Sequence, residues 1–150
     1  MDVAARNLAV VRRAWDAFNA VEITTDAVRR GELAPVLEAF DRGIEWDVTE
    51  VGIPGLGKYH GHRGVRKFWL DWFEVVGDVH TEIREIKAAG DKVVTVCRQT
   101  GSGIVSGALV TWEFAIVFTM RDEKVVHADV TPELDAARHL ASPDAASLSR

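Results

Sequence analysis

Ala108-Leu109-Val110-Thr111-Trp112-Glu113-Phe114-Ala115-Ile116-Val117-Phe118-Thr119-Met120 runs into a charged turn at Arg121–Lys124. The chain then returns as Val125-Val126-His127-Ala128-Asp129-Val130-Thr131. Residues two apart in a strand share a side of the sheet. Val110, Trp112, Phe114, Ile116, Phe118 and Met120 therefore form one heavily apolar face, expected to meet helices. The other face, from Leu109 to Thr119, is mixed and is expected to meet solvent or another subunit. On the returning strand His127 and Asp129 stand side by side. The pair reads either as proton-transfer chemistry or as an ordinary exposed strand face.

Working outward, three more segments alternate with period two: Ile44–Val48, His80–Lys87 and Lys92–Gln99. Ala89-Gly90-Asp91 and Arg121-Asp122-Glu123 read as compact turns. Thr100–Gly107, with three glycines, reads as a loop or a bulged strand end. Helical periodicity belongs mainly to the first half. Asp2 can cap a helix that carries Val3, Asn7, Val10/Val11, Ala14/Trp15 and Phe18 on one stripe. A short helix follows Thr24 or Thr25 and breaks at Gly31. Pro35 suits the first turn of a third, with Leu33, Val36/Leu37 and Phe40 inward. After a glycine-rich loop over Val51–His62, Gly64–Val76 forms the most aromatic helix, with Val65, Phe68/Trp69 and Trp72/Phe73 on its buried stripe. Helices first and antiparallel strands later predict an α+β fold, with the helices on one face of a curved sheet.

Composition narrows the function classes. The 150 residues suit one domain over 1–140, and the Ser/Ala-rich 141–150 reads as a frayed tail. A net charge of −5 without a Lys/Arg cluster argues against a nucleic-acid partner. The single cysteine, Cys97, excludes an internal disulfide. No apolar run approaches the roughly 20 residues of a membrane span, and the N-terminus is unlike a signal peptide. A cytoplasmic protein is expected. His60-Gly61-His62 is the one close histidine pair, and it lacks a third ligand, so neither a metal nor a cofactor is implied.

Several landmarks, taken in order, resemble the SnoaL-like branch of the nuclear-transport-factor-two-like superfamily. They are Val10-Val11-Arg12-Arg13-Ala14-Trp15-Asp16-Ala17-Phe18-Asn19, Gly31-Glu32-Leu33 and Ile44-Glu45-Trp46. Tyr59-His60-Gly61 follows, leading into Gly64-Val65-Arg66-Lys67-Phe68-Trp69, and the last is the closing hairpin with His127-Ala128-Asp129-Val130. The segment Ala20–Arg30 departs from that pattern by its length. The resemblance implies a cone-shaped α+β barrel: a strongly curved, mostly antiparallel sheet on three or four N-terminal helices around an apolar pocket. It also implies a homodimer formed through the sheet face. Members include ketosteroid isomerases, polyketide cyclases, dehydratases, epoxide hydrolases and non-catalytic binders, among which fold alone does not choose.

The residues discriminate further. Asp47 falls where the isomerase-type base would be. Ala14, however, stands in place of the tyrosine donor, and Trp112–Thr119 offers only Glu113 as an acid, on the wrong face. An epoxide-hydrolase-like site lacks its Arg-x-Asp pair. A cyclase-like site asks only for one acid/base aspartate above an apolar pocket, and Asp129 matches it, with His127 to assist or orient. Tyr59 is expected near the pocket mouth as a hydrogen-bond donor or a loop anchor. Arg98, sharing a face with Val94 and Val96, either enters the pocket or reaches water. Trp15, Trp69 and Trp112 suit core packing or the walls around a planar apolar ligand. The leading expectation is cofactor-independent acid/base chemistry on a hydrophobic carbonyl compound. The alternative is a non-catalytic domain that binds a small hydrophobic molecule or a protein.

Overall fold

A computed structural model describes residues 2–141. Helix α1 (Val3–Asn19) starts at Asp2, whose carboxylate accepts from the Ala5 amide at 2.8 Å. Helix α2 (Thr25–Arg29) starts at Thr24, whose hydroxyl accepts from Ala27. These caps satisfy amides that the first helical turn leaves unpaired. The one-turn α3 (Ala34–Leu37) carries Pro35 in its first turn. Strand β1 (Phe40–Asp47), the short β2 (Lys58–His60) and helix α4 (Gly61–Phe73) follow. The second half is β3 (Val76–Ala89), β4 (Lys92–Gly103), β5 (Leu109–Arg121), β6 (Lys124–Thr131) and α5 (Leu134–Leu140).

The six strands form one sheet in the order β2-β1-β6-β5-β4-β3. Every pairing is antiparallel except β1 with β6, which is parallel and links the first half of the chain to the last strand. Asp122 and Glu123, both at positive φ (52° and 60°), close the β5–β6 hairpin in two residues. Positive φ at both central positions matches the right-handed twist of the strands. The α+β expectation holds.

Of the two readings of Thr100–Gly107, the bulged strand end holds for Thr100–Gly103, which close β4 against Val76, Gly77 and His80 of β3 with a register shift between Gly77 and His80. A Cβ at Gly101 would lie 2.4 Å from Val76 Cγ1, so the missing side chain lets the strands close there. Tyr59 is not in a loop but in β2, opposite Trp46. A second difference is α5, which the sequence does not announce. It packs Ala137 and Leu134, together with Ala141, on Val94, Val96, Ala115 and Val117, on the sheet face away from the other helices. Arg138 fastens it to β3 through Glu85 at 2.9 Å. The helices are thus not confined to one face, and the chain itself covers part of the surface expected to meet another subunit. Of the expected tail, Ala141 is buried, and 142–150 lie outside the described residues. None of the described helices is long and apolar enough to cross a membrane.

The packing of α5 predicts that Ala137→Asp, which buries a carboxylate against four apolar side chains, lowers stability by about 2 kcal/mol or more. Ala136→Asp, on the exposed side of the same helix, changes it by less than about 0.5 kcal/mol. Urea unfolding of the two variants checks the contrast.

Candidate functional site

Helix α4 places Phe68, Trp69, Trp72 and Phe73 at positions i, i+1, i+4 and i+5, a spacing that puts all four on one face. That face lies over the inner side of the sheet, where β5 presents Trp112, Phe114, Ile116 and Phe118 in the predicted alternation. Trp15 and Phe18 of α1 and Trp46 of β1 complete the walls of a cavity of about 70 Å³. Its rings are in contact. Trp112 stacks on Phe114 with centroids 4.5 Å apart, and Trp72 meets Trp112 at 5.5 Å. Phe68 lies 5.6 Å from Trp46. Among the described lining residues Gln99 is the one polar side chain; the others are aliphatic or aromatic.

Gln99 organises this interior. Its Oε1 accepts from Trp72 Nε1 at 2.9 Å and from Trp112 Nε1 at 3.3 Å, and its Nε2 donates to Thr81 Oγ1 at 3.1 Å. Four residues earlier on the same side of β4, Thr95 Oγ1 accepts from Trp15 Nε1 at 3.3 Å. Sequence reasoning missed Gln99 because it assigned the other side of β4 to the pocket. A signal was available: three tryptophans facing inward need acceptors, and Thr95 and Gln99 supply them from one side of one strand.

The predicted residues separate accordingly. Trp15, Trp69 and Trp112 line the cavity. Arg98 does not: it is exposed on the opposite side of β4, between Glu82 of β3 and Glu113 of β5. An odd-numbered offset in a strand moves a side chain to the other face. Tyr59 is also outside the cavity wall. Its hydroxyl donates to Asp71 at 3.1 Å, the carboxylate that also holds Lys67 at 2.8 Å, so it anchors β2 to α4. Burial, the bond to Asp71 and that residue's charge push the phenol up to about 12.

Asp47, His127 and Asp129 do come together, but on the outer face. In the parallel β1–β6 pair Glu45 lies opposite His127, and Asp47 opposite Asp129. Their neighbours Trp46 and Ala128 point inward and are buried. His127 Nε2 is 3.0 Å from Asp129 Oδ1, and its Nδ1 is 3.3 Å from Glu45 Oε2. Only an imidazolium donates to both carboxylates at once. The expectation of Asp129 above an apolar pocket is corrected by this parity: the sheet lies between the two. Donor atoms of Asp47, His127 and Asp129 converge within 4.8 Å, the one such group among the described residues. Each already has a partner, since Asp47 Oδ1 accepts from the Thr49 amide at 2.9 Å. His62, from the histidine pair, is spent on the Phe40 carbonyl at 2.8 Å. Cys97 is fully buried, which raises its thiol pKa.

Burial pushes the Asp47 carboxyl upward. The side-chain and backbone bonds of Thr49, with the charges of Lys58 and His127, outweigh it and leave the pKa below its ordinary 3.8.

Residues 11–128 match the family model of the SnoaL-like domain. This chain belongs to that family. Among solved structures it is similar to TerC, crystallised with polyporic acid, at 22% identity and a TM-score of 0.70 over 91% of this chain and 98% of the other. A SnoaL-like polyketide cyclase (so described provisionally) from Jannaschia sp. aligns at 20% identity and a TM-score of 0.67, over 95% and 96% of the two chains. A hypothetical protein with a ketosteroid isomerase-like fold from Catenulispora acidiphila, in complex with trimethylamine, aligns at 14% identity and a TM-score of 0.62, over 85% and 91%. At these identities the likeness is one of fold. No curated protein matches the chain in sequence.

Two measurements follow from this geometry. Gln99→Leu strands two indole N–H groups, each costing about 1–3 kcal/mol when left unpaired; equilibrium unfolding reads the sum. A carboxyl with a depressed folded-state pKa stabilises the fold above its unfolded pKa and loses that contribution as pH falls through the folded value. Asp47→Asn therefore destabilises the protein at pH 6. The gap from wild type closes as pH is lowered through and below 3.8, which thermal melts across that range would show.

Proposed function

We propose that this SnoaL-like chain is a binding domain for a small, flat, apolar molecule, held in the aromatic cavity between α1, α4 and the sheet. One observation carries the reading. The described lining offers no carboxylate, imidazole, amine or phenol, and its single carboxamide is already committed to two indoles and a threonine. Such walls gain free energy from apolar contact and ring stacking. They hold no group that takes or gives a proton. Acid/base chemistry at Asp129 would have to proceed on the outer face, with the sheet between it and the cavity. The co-crystallisation of the structurally similar TerC with polyporic acid supports a ligand-binding use of this fold.

Size sets the class of ligand. An engineered cavity of about 150 Å³ holds benzene, and the one here is about 70 Å³. A single ring therefore enters by displacing a wall, and the half-buried rings of Trp15, Phe68 and Trp112 are the walls with least support.

Ethylbenzene is a suitable probe. At a hundredfold excess over its Kd it should stabilise the fold by about 2.7 kcal/mol, read as a rise in Tm. Asp129→Asn and His127→Asn should keep that rise. The absence of any rise in the wild-type protein, with ethylbenzene and with acetophenone alike, overturns the reading. Its loss in Asp129→Asn alone would return the function to the outer-face carboxylate.

A further inference from the structure

Three indole N–H groups in the cavity wall have acceptors from the chain: Trp15 has Thr95, and Trp72 and Trp112 share Gln99. Trp46 differs. Its ring lines the same cavity and is 6% exposed, yet its Nε1 is buried and meets no hydrogen-bond partner among the described residues. Buried polar groups are nearly always paired, and each exception calls for an explanation. The neighbours of Trp46 do not provide one. It sits between Phe40 and Phe68, with ring centroids at 5.9 and 5.6 Å and tilted planes, and neither ring carries an acceptor. Gln99 cannot serve, because both lone pairs of its Oε1 are already engaged.

We propose that the Trp46 indole N–H is the polar anchor of the cavity, and that the ligand is a ring bearing a hydrogen-bond acceptor, a carbonyl above all. This rests on the cavity-binding reading and adds the chemical class of the occupant. The N–H is closed to water on every side, so its acceptor arrives on a molecule that enters the cavity by displacing the half-buried Phe68 ring beside Trp46. The aromatic walls take the ring face, and Trp46 selects the ring that carries an acceptor. A site with a buried donor discriminates strongly against an analogue that leaves the donor unpaired.

Acetophenone and ethylbenzene match in shape and differ in one carbonyl oxygen. Affinities of both for the wild-type protein and for Trp46→Phe, by calorimetry, test the anchor. The acetophenone-to-ethylbenzene affinity ratio should fall roughly tenfold in Trp46→Phe, the worth of one buried hydrogen bond. An unchanged ratio overturns the proposal. A second measurement needs no variant beyond assignment. In the amide-correlation NMR spectrum of the wild-type protein, acetophenone should move the Trp46 indole proton downfield and ethylbenzene should not. Equal movement with both probes also overturns it, and leaves cavity binding standing. Failure of both probes to bind overturns the cavity reading and the anchor with it.

Discussion

The carboxamide of Gln99 is the constraint on which the interior depends. Two tryptophans from different elements, Trp72 on α4 and Trp112 on β5, point their N–H groups at one oxygen, and Thr81 of β3 receives the amide. One side chain thus ties a helix and three strands together. Apolar burial would pack these rings in many ways at similar cost, because it has no direction. Hydrogen bonds to a buried acceptor have direction, and an unmade one is expensive. They select the arrangement in which the rings surround a space.

The sheet then divides the protein chemically. Inward lie the aromatic walls and their few saturated polar groups. Outward lie the charges: Glu45, Asp47, His127 and Asp129 on β1 and β6, and Arg98 between Glu82 and Glu113. Between the charged rows runs the strip of Val94, Val96, Ala115 and Val117, and α5 covers it. The polar cluster is a network of contacts around His127, and the cavity wall holds, among the described residues, one buried donor without a partner. The proposed binding function rests on that separation.

Much of the fold was legible in the sequence because the periodicities are strong. The β5–β6 hairpin shows period two and a charged turn, and α4 carries its aromatic residues at helical spacing. The position of the cavity wall on β5, Trp112 included, follows from the same alternation, and Trp15 and Trp69 follow from the helical spacing of α1 and α4. The face of β4 was not legible. Val93, Val94, Thr95, Val96 and Cys97 are all buried, since α5 covers one side and the helical layer the other, so hydrophobicity marks neither side as inner. Reading Arg98 into the pocket instead of Gln99 is a slip of one residue that such a strand permits. Helix α5 was missed for a related reason. Its contact side consists mainly of small residues, and its stability comes from the strip it covers more than from its own sequence.

By itself the sequence determined the kinds of element, their order and the aromatic face that had to be buried, because these depend on residues near one another in the chain. The side of the sheet on which His127 and Asp129 stand relative to the cavity was decided by tertiary structure. So was the availability of an acceptor to each indole. His127 and Asp129 share a side by their spacing alone, but whether that side is inner or outer depends on pairing with β1, some eighty residues earlier. Trp46 has a donor by its chemistry, and it lacks an acceptor among the described residues only because of what the rest of the fold places around it.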